Sequence, residues 1–188
     1  MKAKLLINTI LLCAGFNTTL HAQSYTLDPL HSYVAWQISH FDFSNPSGKW
    51  FATGTLNYDP NNLAASKVNA TLKLADGVTG IPDLDKHLKG KLFFNVEQFP
   101  NATFVSDKIE IADKQIKKVH GQLTLHGVTK PITLLVKLNK IGNNPISDKP
   151  SIGFSATTQL KRSDFGITTM LPGIGDDVNL SIEIEASA

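Results

Sequence analysis

Cysteine is almost absent from this 188-residue chain, since Cys13 is the only one and lies in an apolar run near the N-terminus. No intramolecular disulfide can form. A domain that has neither a disulfide nor a structural metal depends on a sizeable hydrophobic core. The chain is long enough to build one such core, because domains of about 100–200 residues are usual.

Long hydrophobic runs are lacking as well, apart from the mainly apolar residues 5–16. This run follows Lys2 and Lys4 and comes before the small residue Ala22. A membrane-spanning helix needs roughly 20 apolar residues, so the pattern predicts a cleaved secretory signal peptide at residues 1–22. The mature chain is then a single domain of residues 23–188 with no integral membrane segment.

Excess charge of one sign is missing too. Without Lys2 and Lys4, the 18 basic residues become 16, equal to the 16 acidic ones. Binding to nucleic acid requires concentrated positive charge. We therefore expect no nucleic-acid partner.

What the chain does have is alternation of apolar and polar side chains. From Val119 to Leu125, and again from Ile132 to Leu138, every second residue is apolar or glycine. A period of two predicts strands with one dry face, and Gly127 between them can adopt the positive φ of a hairpin turn. Six further segments alternate in the same way, at residues 33–40, 50–58, 68–74, 102–111, 152–160 and 178–184.

The alternation fails in two places. Residues 81–96 lack it, and an acidic start after Pro82 with Gly90 beyond the end predicts a short helix from about Pro82 to Lys89. The phase slips between Phe104 and Ile109, which predicts a β-bulge near residues 107–108. Eight strands without helical crossovers indicate an all-β antiparallel sandwich or up-and-down barrel.

Several motifs resemble those of the YceI-like family, in the same order along almost the whole predicted domain. They are found at residues 25–40, 85–88, 93–94, 99–104, 121–131, 162–166 and 175–178. The resemblance implies an extended eight-stranded antiparallel β-barrel, similar to lipocalins, with one short helical insertion. It also implies a periplasmic location and an apolar tunnel for a polyisoprenoid or another long-chain lipid, such as an isoprenoid quinone.

The inward-facing positions are nearly all apolar, and several are small: Ala52, Gly54, Ala70, Gly121 and Ala156. An eight-stranded barrel is near the size at which side chains either fill the interior or leave room for one ligand. Small residues favour a cavity, but they can also alternate with large ones in a tapering, packed barrel. The candidate ligand-binding residues are Trp36, Ile38, His40, Trp50, Ala52, Ala70, Leu72, Phe94, Phe104, Leu125, Leu134, Phe154, Ala156, Arg162, Phe165 and Leu180.

Residues expected at one end of the barrel each allow two interpretations. Asp85 and Arg162 either form an ion pair that fastens the helix or contact a polar ligand head. The apolar loop that contains Phe165 and residues 170–174 either covers the barrel mouth or forms a homodimer contact.

We find no constellation for catalysis or metal binding. His120 and His126 share a strand face, but six residues separate them by roughly 20 Å, too far to hold one metal ion. His31 and Ser32 are adjacent and point to opposite faces, so with Asp28 they are expected to pin the first strand by hydrogen bonds. This absence argues against an enzyme, and the resemblance to the YceI-like family implies a non-enzymatic carrier of a long-chain lipid, with no other cofactor. The alternative is a packed barrel whose loops bind a protein partner.

Overall fold

The computed structural model describes residues 22–188, so the predicted signal peptide lies outside the described residues apart from Ala22. The described chain forms nine strands and one α-helix. The helix α1 is Pro82–Lys89, as predicted. The strands are β1 Gln23–Leu27, β2 Tyr33–His40, β3 Ser47–Tyr58, β4 Lys67–Lys73, β5 Asn101–Ala112, β6 Gln115–Leu125, β7 Val128–Asn143, β8 Pro150–Lys161 and β9 Ile174–Ser187.

Strands β2 to β9 form a closed antiparallel β-barrel. Each pairs with its neighbours in sequence, and β9 closes the ring by pairing with β2. Closure gives every strand from β2 to β9 a partner on both sides over at least part of its length, which limits intermolecular strand pairing. The predicted all-β, eight-stranded barrel is confirmed.

The strand β1 was not predicted, and it shares one position of the barrel with β2. β1 pairs with β3 through Thr26 and Thr55 and with β9 through Thr26 and Ser187, just beyond the start of β2. The fully buried Ser32 lies between β1 and β2 and holds this connection against β9. Its hydroxyl donates to the Glu185 carbonyl and accepts from the Glu185 amide. The predicted pinning role of Ser32 is confirmed.

The hairpin between β6 and β7 turns at two residues, His126 and Gly127, both with positive φ. This is the backbone geometry that a two-residue hairpin prefers. Pro131 is not the first residue of β7. It lies inside the strand, opposite Gln122. Proline is tolerated here because β7 pairs with β8 only from Leu135 onward, so this part has a single partner strand.

The predicted β-bulge is confirmed. The pairing of β5 with β6 shifts between Ser106 and Lys108, which leaves Asp107 as the extra residue. The shift allows both Phe104 and Ile109 to face the interior. A second shift follows Glu110, and Ile111 is exposed.

Connections alternate between the two ends of the barrel because consecutive strands are antiparallel. One end, which we call the mouth, carries residues 41–46, the long insertion 74–100 with α1, the turn 126–127 and the loop 162–173. The other end, the base, carries residues 28–32, 59–66, 113–114 and 144–149. The mouth therefore has more chain to shape an opening.

Gly121 on β6 illustrates how tightly part of the barrel wall is packed. A Cβ atom at this position would lie 2.4 Å from the Val105 carbonyl oxygen and 2.5 Å from the Phe104 ring. At Gly153 on β8, the nearest atom would be 3.7 Å away. The space beside Gly121 is thus occupied by neighbouring atoms, whereas the space beside Gly153 could hold a methyl group.

We predict that Gly121→Ala lowers the free energy of unfolding by about 1–3 kcal/mol through overpacking. Gly153→Ala is the matched control and should be neutral or slightly stabilising, because alanine reduces the freedom of the unfolded chain. Urea unfolding followed by tryptophan fluorescence would compare them. Equal stability of the two variants would contradict the packing seen at Gly121.

Candidate functional site

The barrel encloses two apolar chambers, one above the other. The outer chamber, toward the mouth, has a volume of about 410 Å³, and the inner chamber, toward the base, one of about 150 Å³. They adjoin at a level where they share lining residues from four strands and the start of β5: Val34, Leu72, Ala102, Leu123 and Leu180. The outer chamber alone is within the roughly 300–1,000 Å³ typical of small-molecule sites.

The inner chamber depends on alanines. Ala52, Ala70 and Ala156, on β3, β4 and β8, all line it. The two glycines of the predicted small set do not, because a backbone carbonyl of β4 closely approaches Gly54 and the Phe104 ring covers Gly121. The interpretation of small inward residues as cavity-forming therefore applies to the alanines and is wrong for the glycines.

Aromatic side chains form one wall of the outer chamber. The ring centroids of Trp36 and Trp50 are 6.2 Å apart. Trp50 also packs edge-to-face with Phe94, with ring centroids 5.0 Å apart. The Trp50 Nε1 donates a hydrogen bond of 3.0 Å to the Leu74 carbonyl. Because this polar atom is satisfied by the backbone, the tryptophan adds apolar surface to the chamber.

The helix α1 covers part of the mouth. Leu84 and Leu88, four residues apart on one face, line the outer chamber. Pro82 at the first turn and acidic residues near the start favour helix formation at this point. Sequence reasoning predicted the helix but missed these two leucines, although their spacing was the available signal.

Asp85 and Arg162 do not form the ion pair that we considered. The Asp85 carboxylate accepts from the backbone N–H and the hydroxyl of Thr79, at 2.8 and 2.7 Å. Those bonds tie α1 to the residues before it. Among the described residues, no ion pair joins Asp85 to Arg162, so that interpretation is wrong.

Arg162 is only 5% exposed and lines the outer chamber. Its Nε, Nη1 and Nη2 atoms donate to the carbonyls of Gly175, Ile167 and Ile174, at 2.8, 3.0 and 2.9 Å. Burial lowers the pKa of the guanidinium, and Asp176 opposes that shift. The planar fork of donors thus clamps both ends of the mouth loop.

Asp176 holds the other side of this loop. Its carboxylate accepts from the Ser163 N–H and hydroxyl, at 2.9 and 2.8 Å. Burial raises the pKa of Asp176, but the hydrogen bonds from Ser163, with Lys161 and Arg162 nearby, outweigh that effect and lower it overall. Asp176 itself lies in β9, near the start of the strand, and from there it fixes the first residues of the loop.

The opening of the outer chamber is bordered by exposed residues, including His40, Ser44 and Ile81. His40 stacks edge-on against Phe41, with ring centroids 4.7 Å apart. Besides Arg162, His40 and Ser44 are the polar side chains that line this chamber. Any polar part of a bound molecule would meet them at the opening.

All but one of the candidate ligand-binding residues line a chamber. The exception is Phe165, which is almost fully buried outside both chambers. Its carbonyl accepts a hydrogen bond from His126 Nδ1 of the β6–β7 turn, at 3.1 Å. Of its apolar loop, Ile174 lines the outer chamber, whereas Met170 and Leu171 are exposed.

Two further observations concern the described residues 22–188. No group of three or more His, Cys, Asp or Glu side chains lies close enough to hold a metal ion. Within the same range, none of the helices has the length and apolar character needed to cross a membrane.

A small closed antiparallel barrel around a ligand-sized apolar interior is the architecture of lipocalin-like binding proteins. The YceI-like domain profile matches residues 25–186. Protein YceI of Salmonella newport (strain SL254) is 37% identical over 167 residues, covering 87% of this chain and 86% of that protein. The chain belongs to the YceI-like family.

Solved structures agree with this assignment. The YCEI protein of Campylobacter jejuni is 29% identical, with a TM-score of 0.68 over 97% of this chain and 99% of that one. A polyisoprenoid binding domain from Saccharophagus degradans has a TM-score of 0.65 at 15% identity, covering 87% of this chain and 98% of that one. The latter likeness concerns the fold alone.

We predict that Arg162→Lys and Arg162→Met both lower the free energy of unfolding by about 2–4 kcal/mol, because neither can satisfy three buried carbonyls. The neighbouring exposed cation is the control, and Lys161→Met should change the stability far less, because solvent screens the ion pairs of Lys161. Chemical denaturation would measure all three variants. A stable Arg162→Lys variant would show that charge alone, without the fork of donors, is sufficient.

A second prediction concerns pH. Because the folded-state pKa of Asp176 is lowered, its stabilising contribution is present above the unfolded pKa of about 3.9 and is lost as pH falls through the folded value. Asp176→Asn should therefore lower the Tm at neutral pH, and its difference from the wild type should shrink below about pH 4. Asp113→Asn, in an exposed turn, controls for the removal of one surface charge. A Tm difference that grows on acidification would contradict the prediction.

Proposed function

We propose that this protein is a non-enzymatic carrier that binds one long-chain apolar lipid, a polyisoprenoid or an isoprenoid quinone, inside the barrel. The supporting observation is the pair of adjoining chambers, which together extend from the mouth toward the base and are lined almost entirely by apolar side chains. An elongated apolar space of this kind favours a long hydrocarbon chain over a compact polar molecule.

The ligand would lie with its tail in the inner chamber and its head at the mouth. Three of the donors of Arg162 already bond to backbone carbonyls. The His40 imidazole and the Ser44 hydroxyl, by contrast, make no side-chain hydrogen bond within residues 22–188 and border the opening. They suit a small neutral polar group, such as a hydroxyl or a quinone carbonyl.

Family membership and the predicted export support the same function. The Saccharophagus degradans domain with this fold is described by its name as binding polyisoprenoid. The predicted signal peptide would place the mature protein in the periplasm, where a lipid that crosses an aqueous space needs a shield from water. The alternative of a packed barrel acting through its loops alone loses support, because the interior is not filled.

The test is to extract lipids from protein purified from its native compartment and to identify them by mass spectrometry. We expect one long-chain isoprenoid species in the wild type and little or none in Ala70→Phe and Ala156→Leu, whose larger side chains would occupy the inner chamber. Both variants should fold with nearly unchanged stability, because the chamber has room for the larger side chains. If the core were already packed, the same substitutions would lower the free energy of unfolding by about 1–3 kcal/mol.

Thr71→Phe and Thr157→Leu, on the outward faces of the same strands, are the matched controls and should retain the wild-type lipid content. The proposal fails if the wild type yields no long-chain lipid, both after native purification and after incubation with an isoprenoid. It also fails if the inward variants bind as much lipid as their controls.

A further inference from the structure

Apart from Val78, six large apolar side chains are exposed at the mouth, on three separate segments. We call them the mouth ring: Phe41, Phe43, Ile81, Leu92, Met170 and Leu171. Phe43 is 92% exposed, Leu92 69% and Met170 56%. Exposed apolar side chains are also found on the wall and at the base, Ile146 and Leu30 among them, but those at the mouth surround the opening of an apolar chamber, which calls for a reason.

The three segments are held to one another around the opening. The Phe41 N–H donates to the Gly173 carbonyl, and the Phe41 ring lies so close to Gly173 that a Cβ atom there would meet it at 2.4 Å. The Thr169 hydroxyl donates to the Leu92 carbonyl on the far side of the loop. The ring is therefore positioned by specific contacts between segments.

Each segment that carries the mouth ring also lines the outer chamber. Ser44 and Pro46 follow the two phenylalanines, Ile81 itself faces the chamber, and Ile174 follows Met170 and Leu171. The exposed apolar surface is thus continuous with the apolar interior. A hydrocarbon chain that leaves the outer chamber meets this surface first.

The charges near the ring are balanced or already engaged. Residues 79–97 contain three lysines and three carboxylates. The Asp42 carboxylate, between the two phenylalanines, accepts from the Ser39 hydroxyl, and Asp85 is bonded to Thr79. Electrostatic attraction is therefore not the principal force at this surface.

We propose that the mouth ring inserts into a lipid bilayer and so opens the chamber directly to the membrane for exchange of the bound lipid. This inference rests on the proposed carrier function. A protein partner would need a continuous surface of about 800 Å², whereas the ring surrounds an opening that a rigid partner would leave unfilled. Fluid acyl chains can fill the opening and cover the ring together, and they spare the ligand any exposure to water.

The test measures binding of the purified protein to phosphatidylcholine vesicles by co-flotation. In the ring variant, Phe43, Leu92 and Met170 are each replaced by serine. In the matched control, serine replaces Val105, Leu135 and Ile146, which are also exposed but lie on the outer wall and at the base. All six side chains are exposed, so thermal melts should show that both triple variants fold.

We expect the ring variant to partition onto vesicles on the order of tenfold or more weakly than the wild type, because each removed side chain contributed apolar burial. The control should bind like the wild type, and added salt should have little effect on either. Transfer of the bound lipid to vesicles should slow in the ring variant alone.

The bilayer proposal is overturned if the wild type does not bind vesicles or if the ring variant binds as well as the control. It is also overturned if the ring mediates a dimer, seen in sedimentation and lost in the ring variant, in place of vesicle binding. Lipid extraction from the same samples separates the two proposals. A lipid-loaded protein that does not bind vesicles refutes the membrane insertion of the mouth ring and leaves the carrier function standing. An empty protein that binds vesicles refutes the carrier function and with it lipid exchange, and leaves only the insertion.

Discussion

Closure of the backbone ladder is the constraint on which the rest of this structure depends. The pairing of β9 with β2 and of β3 with β4 turns an open sheet into a ring with eight positions, one of which β1 and β2 share. Ring size and strand tilt set the width of the interior. Because hydrogen bonds between strands hold the wall, the interior can stay partly empty without loss of the fold. In a protein held together only by side-chain packing, the same cavity would be costly.

Polar side chains at the mouth support that cavity by bonding to the backbone. Arg162, Asp176 and Asp85 each bond to backbone or hydroxyl groups nearby, so the loop and the helix around the opening are held in place. A buried guanidinium with three carbonyl acceptors is satisfied locally. This leaves the surface of the chamber apolar, and it explains how charged residues can border an apolar interior.

The size of the interior is decided by which small residues have space beside them. Alanines at positions 52, 70 and 156 leave space in the inner chamber. Gly54 and Gly121 allow other parts of the chain to approach, so their lack of a side chain leaves no room for a ligand. Alternation of small and large residues looks the same in both situations. Whether a small residue leaves a cavity depends on how closely the adjacent strand or side chain approaches it, and no local sequence pattern reveals that.

The sequence by itself determined the strand segments, the bulge near Asp107 and the helix at Pro82–Lys89, because side-chain periodicity and helix-end residues act locally. It also determined which strand faces point inward, so that all but one of the candidate ligand-binding residues line a chamber. The tertiary structure decided the rest. The strand β1 was missed because it is only five residues long and has little pattern of its own. The bonds of Arg162 and Asp85 to groups a few residues away along the chain leave no periodic signal. The burial of Phe165 became evident only in the fold, where its carbonyl meets His126 of the β6–β7 turn. The leucines of α1 have a local signal in their spacing, but the chamber that they line was formed only when the helix met the barrel.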